Sequence, residues 1–416
     1  MSADIIRAPA ASDVSAFEPL LPSGSKLPPL LELAHTLQQH CFRLSGHAMP
    51  GLHPKLIPLL RAMNSYYTNK IEGQHTFPAD IEDALRNQFS ADPDRARKQR
   101  LARAHLRTEE WAEHTHSAQG WRHAFNIETV QALHLHLYEQ LPVEDRITDT
   151  GAPVLEGQLR DSNVKVGMHM APTFESVPAF LLRWREFYTK LTDGENAVIG
   201  IACAHHRLTW IHPFRDGNGR IARLQSHLAL HAMGLTNGLW SPMRGLARRQ
   251  EQYYAHLTDA DEPRQGDYDG RGALSERGLI NFAQFFLEVC IDQVRFMEEM
   301  LNLAQFKHRL DALLTFEAAK SGTGIRRETL TALHYIAISG PLERGEFKAI
   351  SGLKDRTAER ALKALLDYGL LCSDSPKGKV YFGIPLASLR FLFPNLWPEA
   401  EAAIEKNYHQ KNKPDH

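Results

Sequence analysis

The sequence predicts a mainly α-helical protein carrying one small β-hairpin, followed by a smaller C-terminal unit of short helices and a second hairpin. Apolar residues recur at helical spacing through most of the chain, as in Leu30, Leu33 and Leu37 or in Leu56, Leu59, Leu60 and Met63. The stretch 151–172 departs from that period: Gly151, Gly157 and Gly167 punctuate short alternating runs such as Asn163 to Val166, the pattern of a hairpin. Beyond Gly322, Thr323 and Gly324 the pattern changes to short helices followed by alternation, which places a boundary there.

Taken in order, residues 1–28 are rich in Ala, Ser and Pro without a sustained period, so they read as a tail or an arm lying on the main body. Ile127 to Tyr138 is helical through Val130, Leu133 and Leu137, with Asn126 as its expected cap. Further helices are expected over Val177 to Leu191, Ala197 to Trp210, and Arg220 to Met233, the last closed by Gly234. One long amphipathic helix is expected over Leu279 to Phe306. In the C-terminal part, Leu330 to Ile338 and Phe347 to Ile350 read as helices before a turn at Ser351 and Gly352. Asp355 is then expected to cap a helix running to Asp367, with Gly369 behind it. Leu370 to Ile384 alternates around Pro376, Lys377 and Gly378, as the wing of a winged helix-turn-helix would.

Hydrophobic residues make up 43% of the chain and charged residues 23%, which is globular rather than disordered composition. Lys and Arg number 48 against 49 Asp and Glu, so no global field points to nucleic acid or an anionic bilayer. No apolar run approaches the length of about 18 residues needed to span a membrane, and the first residues carry no signal-like apolar core. The 4 cysteines, Cys41, Cys203, Cys290 and Cys372, are scattered, as in a reducing compartment. Together these features predict a cytoplasmic protein.

The chemistry concentrates between two expected helices, in Ile211 to Arg223. Gly217 and Gly219 stand at the N-terminus of the second helix, where orphan amides and the helix dipole favour an anion, and glycine allows a ligand to approach the backbone closely. Arg220 and Arg223 lie one turn apart and suit outer phosphates. Asp216 supplies a hard oxygen of the kind Mg²⁺ takes beside phosphates. His212, ordinarily titrating near neutrality, is the natural proton acceptor next to this cradle.

This run, His212, Pro213, Phe214, Arg215, Asp216, Gly217, Asn218, Gly219, Arg220, Ile221, Ala222 and Arg223, resembles the signature of Fic domains at every specified position. The resemblance implies a Fic-type helical bundle that binds ATP and Mg²⁺. In it His212 deprotonates a hydroxyl of a target protein, which attacks the ATP α-phosphate and expels pyrophosphate. It further implies that Asp216 holds Mg²⁺, that Gly217, Asn218 and Gly219 cradle the α- and β-phosphates, that Arg220 and Arg223 address the distal ones, and that Phe214 anchors the loop. Ile221 and Ala222 complete the nucleotide-binding stretch. Val164, Lys165, Val166 and Gly167, with His169 and Pro172, resemble the family's flap, which docks a target segment as an added strand; Ala171 stands where the family usually has the first of two prolines. Tyr253 and Tyr254 resemble a tyrosine pair lining the adenine pocket.

Thr68 to Gly73 resembles the family's inhibitory motif, Ser/Thr-x-x-x-Glu-Gly/Asn, here placed before the core as in its second class. Thr68 and Glu72 fall on one helical face, and a capping box would need a spacing of three instead. The resemblance implies that Glu72 pairs with Arg223 in the place of the γ-phosphate, and that the same Glu72 can serve removal of AMP. It divides the chain into an N-terminal arm and helical region with the inhibitory helix over 1–110, a catalytic core over 111–320, and the winged helix over 325–400. Braked relatives are often dimers, which leaves a homodimer open.

Between Arg326 and Arg390 there are 11 Lys and Arg against 7 Asp and Glu, a net of +4. Arg356, Thr357, Arg360 and Lys363 are expected to face away from the apolar stripe of Ala358, Leu362 and Leu365, so the unit suits either DNA or a protein partner. The leading expectation is AMP transfer to Ser, Thr or Tyr of a protein, including self-modification. The alternatives are a DNA-binding regulator whose Fic site senses ATP, and a transferase of another nucleotide or phosphoryl group.

Overall fold

The computed structural model of the chain describes residues 11–396 apart from His75, Asp149 and Met168. The start of the arm expected over 1–28, and positions 397–400 of the expected C-terminal unit, lie outside the described residues.

The architecture is helical around a central antiparallel pair, α7 (Glu195–Ile211) and α8 (Asn218–Ala232). The α7 sequence is apolar on nearly every side, and Val198, Ile199, Ile201, Ala202, Cys203 and Ala204 are all buried, as expected of a helix enclosed by others. Around the pair pack α1 (Pro28–Gly46), α4 (Pro93–His116), α5 (Ile127–Glu139), α6 (Val177–Tyr188) and α11 (Glu276–Leu301). α2 (His53–Ile71) lies against α4 and touches α8, α3 (Pro78–Leu85) packs on α4, α9 (Pro242–Arg248) packs on α2 and α11, and α10 (Gln250–Asp261) closes the side beside α11. The arm is anchored as expected: Phe17 is buried edge-on against Phe180, and the Pro19 carbonyl accepts from the buried Arg207 guanidinium at 2.9 and 3.1 Å.

The expected hairpin is shorter than its sequence pattern: β1 (Lys165–Val166) pairs antiparallel with β2 (His169–Met170) around Gly167 at φ +59°. The long helix expected over Leu279 to Phe306 is two helices. The apolar period runs through, but Asn302 takes a non-helical conformation and its side chain accepts from the Gln305 amide at 3.1 Å, capping α12 (Leu303–Ala318).

The C-terminal part has the order α13 (Leu330–Ser339), α14 (Arg344–Ser351), α15 (Asp355–Tyr368) and the hairpin β3 (Leu371–Cys372) with β4 (Tyr381–Phe382). Leu342 exchanges hydrogen bonds with Val380 as a third short rung. One expected cap fails: Asp355 is the first residue inside α15, whose cap position is held by Lys354. Asn126 does occupy the cap position of α5, its carbonyl accepting from the Val130 amide at 3.1 Å, though its side chain makes no cap bond. Gly369, at φ +90°, does close α15 in the left-handed conformation. This part leans on the N-terminal region, where the Gly51 amide donates to the Ala337 carbonyl at 3.1 Å and the Lys55 ammonium sits 4.1 Å from the Tyr381 ring centre. Among the described residues no helix is long and apolar enough to cross a membrane.

Candidate active site

α7 ends at His212, which takes a left-handed conformation (φ 50°, ψ 62°) unusual for a residue with a side chain. Pro213 disfavours helix at the residue before it, so the chain turns here and leaves the His212 ring half-buried at the rim. Burial, then the neighbouring His169, push the imidazole down to about 4, so at neutral pH it is an uncharged base. The turn is held from beneath. Phe214 is fully buried and stacks on His134 with ring centres 4.0 Å apart. The Asn218 side chain accepts from the Phe214 amide and donates to its carbonyl, both at 2.8 Å. Its carboxamide is thereby committed to shaping the loop.

α8 then begins on Gly217, at φ +79°, with no side-chain cap, so its first amides face outward from an open N-terminus. The Asp216 carboxylate stands beside it, holding the Tyr138 hydroxyl at 2.7 Å and Arg220 at 3.1 Å. Burial opposes its charge, but Arg220, the Tyr138 hydroxyl and the Gly217 amide outweigh burial and keep it below the usual carboxylate range. An ionised, part-exposed carboxylate at the mouth of an anion site fits Mg²⁺, which takes one or two carboxylates together with phosphate oxygens. Ile221 and Ala222 turn their side chains into the core, at 1% and 0% exposure, so they shape the helix from behind.

Arg220 and Arg223 part company. Arg220 reaches back to Asp216 along the helix, whereas the buried Arg223 crosses to α2. There its Nε donates to the Thr68 hydroxyl at 2.7 Å, and its Nη2 is paired with Glu72 Oε1. Burial works against this guanidinium's charge, but Glu72 and the nearby tyrosines hold its proton more firmly than in water. Glu72 lies directly over the cradle: a Cβ added to Gly219 would stand 2.5 Å from Glu72 Oε1. Gly73, at φ +71°, explains why the helix stops at Ile71 and leaves Glu72 at its cap position. The Gly73 amide bonds the Lys70 carbonyl at 3.0 Å and the Gln74 amide bonds the Asn69 carbonyl at 2.8 Å, a closure that favours glycine at its left-handed position.

The hairpin of Val164 to Gly167 stands next to His212. His169 Nε2 bonds the Trp210 carbonyl at 2.8 Å, and Lys165 and Val166 are exposed along the edge. The tyrosine pair splits: Tyr253 is buried with its hydroxyl on His205 at 2.7 Å, whereas Tyr254 is 44% exposed and donates to the Ile71 carbonyl at 2.8 Å, gripping the end of α2.

Three positioning residues escape the sequence pattern. Arg160 donates to the His212 carbonyl at 2.8 Å and to the Ser162 and Pro172 carbonyls, tying hairpin to turn. Burial brings its pKa down to about 10, so it stays charged. His134 bridges the Asp216 carbonyl at 3.1 Å and the Gly157 amide at 2.9 Å, and Tyr138 holds the Asp216 carboxylate. The i, i+4 spacing of His134 and Tyr138 beside the apolar stripe of Val130, Leu133 and Leu137 is the one signal that marks them.

Residues 124–230, which include this turn, all of α7 and α8 as far as Leu230, match the family described as Fic/DOC family. The chain carries a Fic domain. Over 138 residues it is 30% identical to proteins named protein adenylyltransferase Fic from Drosophila mojavensis and from Drosophila grimshawi. The alignment takes in 33% of this chain and 26% and 28% of theirs, so the chain spans about a quarter of the length of the curated relatives it matches. A crystal structure of a Fic family protein from Desulfovibrio desulfuricans G20 superposes with a TM-score of 0.50 and 18% identity, covering 86% of this chain and 97% of that one, which shows a shared fold. The Fic domain thus contains His212, the cradle and Arg223, while Thr68 and Glu72 reach it from α2, outside the matched span.

Proposed function

We propose that this protein transfers AMP from ATP to a hydroxyl side chain of a protein, itself included, and that Glu72 restrains it. The observation carrying this reading is the turn itself, where a neutral imidazole stands at the open N-terminus of α8 with an ionised carboxylate alongside. The names of the relatives point to the same reaction.

His212 takes the proton of the target hydroxyl, whose oxygen forms a bond to the α-phosphorus as the bond to the β-phosphate oxygen breaks and pyrophosphate leaves. Amides of Gly217, Asn218 and Gly219 receive the phosphate oxygens, and Arg220 neutralises charge beside them. Asp216 would hold Mg²⁺, which supplies charge neutralisation on the phosphates. The exposed edge of Lys165 and Val166 suits a target segment adding as a strand, which brings its hydroxyl toward His212. Of the tyrosine pair, Tyr254 is the one with ring surface available to a base. Glu72 holds Arg223 away from a γ-phosphate and puts a carboxylate where that phosphate would lie; the same carboxylate suits water activation for removal of AMP. We assign the protein to the cytoplasm on its four free cysteines, three of them buried.

The test is incubation of the Glu72→Gly protein with α-labelled ATP and Mg²⁺, followed by mass spectrometry. An AMP adduct that disappears on adding His212→Ala supports the reading. A phosphate adduct would indicate transfer of another group, and the lack of any label would favour an ATP-sensing site.

The exposed Arg356, Arg360 and Lys363 on α15, opposite buried Ala358, Leu362 and Leu365, favour a second activity in the C-terminal unit, read as a winged helix: binding of a macromolecular partner, either DNA or protein. Affinity for duplex DNA that falls steeply with salt supports this, and affinity indifferent to salt indicates a protein partner.

A further inference from the structure

Away from the Fic turn, the far half of α8 carries a second constellation. His227 and His231 are one turn apart on one face of the helix, and Glu113 of α4 meets them. One ligand-capable atom from each lies within 4.8 Å of the other two, with Glu113 and His227 buried and His231 partly exposed. Glu113 Oε1 stands 2.8 Å from His227 Nε2 and 3.7 Å from His231 Nδ1. Ligand atoms of a tetrahedral centre with bonds of about 2.1 Å lie roughly 3.4 Å apart, and the two Glu113 distances fall on either side of that value.

The surroundings are those of a built site. The other oxygen of Glu113 is held by Arg61, at 3.0 Å from Nε and 2.6 Å from Nη2, which fixes the carboxylate and turns Oε1 toward the imidazoles. Glu109, 1% exposed, brings a second carboxylate whose Oε1 is 3.6 Å from His227 Nε2 and whose buried Oε2, 4.0 Å from His105 Nδ1, makes no hydrogen bond. Glu113 and His231 also border a cleft of about 930 Å³ shared with Arg61, His114 and His136, which leaves an approach from solvent.

We propose that Glu113, His227 and His231 bind a divalent transition metal of the zinc class, with the remaining coordination position open to the cleft. Two imidazoles and one carboxylate are the donor set of open zinc sites and of non-haem iron sites, and nitrogen donors select against Mg²⁺ and Ca²⁺. Loading requires the Thr236 hydroxyl, 2.8 Å from His231 Nδ1, to release that nitrogen. The site is separate from the proposed AMP transfer and does not depend on it.

The experiment uses the whole chain stripped with a chelator and equilibrated with Zn²⁺ alone, without nucleotide. Wild type is expected to retain one equivalent more than His231→Ala, and its melting temperature to rise on Zn²⁺ addition while that of the variant stays put. His231 is half-buried at a helix end, so metal-free melting of the variant should match wild type. Glu113→Gln, which keeps the side-chain shape, should lose the same equivalent. Co²⁺ in place of Zn²⁺ should give visible absorption in wild type that both variants lack. Equal zinc in wild type and the two variants, or none in any, overturns the proposal and leaves a buried ion-pair network.

Discussion

Arg223 Nε donates to the Thr68 hydroxyl at 2.7 Å, one turn before Glu72 takes the same guanidinium. The arginine is therefore held by two groups of one helix, and the neutral contact orients it for the charged one. Glu72→Gly is expected to raise AMP transfer about tenfold or more, the scale of losing a charge-assisted hydrogen bond. Thr68→Ala should raise it by a smaller factor, since the carboxylate remains. Labelled AMP incorporation measures both; equal rates for wild type and Glu72→Gly would remove the brake.

The His212 imidazole is held down to about 4 by burial and by His169. Transfer by the Glu72→Gly protein should therefore be level from pH 8 to about 5 and fall toward tenfold per unit below about 4. A rate profile breaking near 6.5, the ordinary value, would contradict the buried base. Stability follows the same sign. Between 6.5 and about 4 the unfolded chain takes up a proton that the folded imidazole refuses, so stability drops as pH falls through that window and levels off beneath it. His134 and His205, held down to about 4 and about 3, add to the same slope.

Arg160 joins the His212 carbonyl to the hairpin through three carbonyl contacts. Arg160→Ala leaves these buried acceptors unmatched and should cost about 2–4 kcal/mol of stability by chemical denaturation. In protein that remains folded, transfer to a target should fall more than ATP binding does, because the contact positions the hairpin and the base rather than the cradle. Parallel losses in both would contradict that role.

A Cβ at Gly219 would meet Glu72 Oε1 at 2.5 Å and Arg223 Nη1 at 3.1 Å. Gly219→Ala should destabilise the wild-type protein by about 1–2 kcal/mol and the Glu72→Gly protein by less, a coupling of about 1 kcal/mol in a double-mutant cycle. Additive effects would mean that Glu72 does not rest on the cradle.

The turn was legible because its chemistry lies in consecutive residues whose order alone places a base, a carboxylate and an open helix end together. The pairing of Glu72 with Arg223 was legible from helical spacing joined to a family resemblance. Arg160, His134 and Tyr138 were not, since each acts through contacts far along the chain and each residue type is common elsewhere. Asn302 was missed because the apolar period continues across it, and only the side-chain bond to Gln305 reveals the break. Asp355 fell one position inside the helix it was expected to cap, a distinction that composition does not carry.

α2 runs 19 residues, about 28 Å at helical rise, from His53 to the end that bears Glu72. Near its beginning, Gly51 and Lys55 rest on the C-terminal unit through Ala337 and Tyr381. One element thus touches both the C-terminal unit and the guanidinium of Arg223, with Pro58, which cannot donate to the helix ladder, standing between the two contacts.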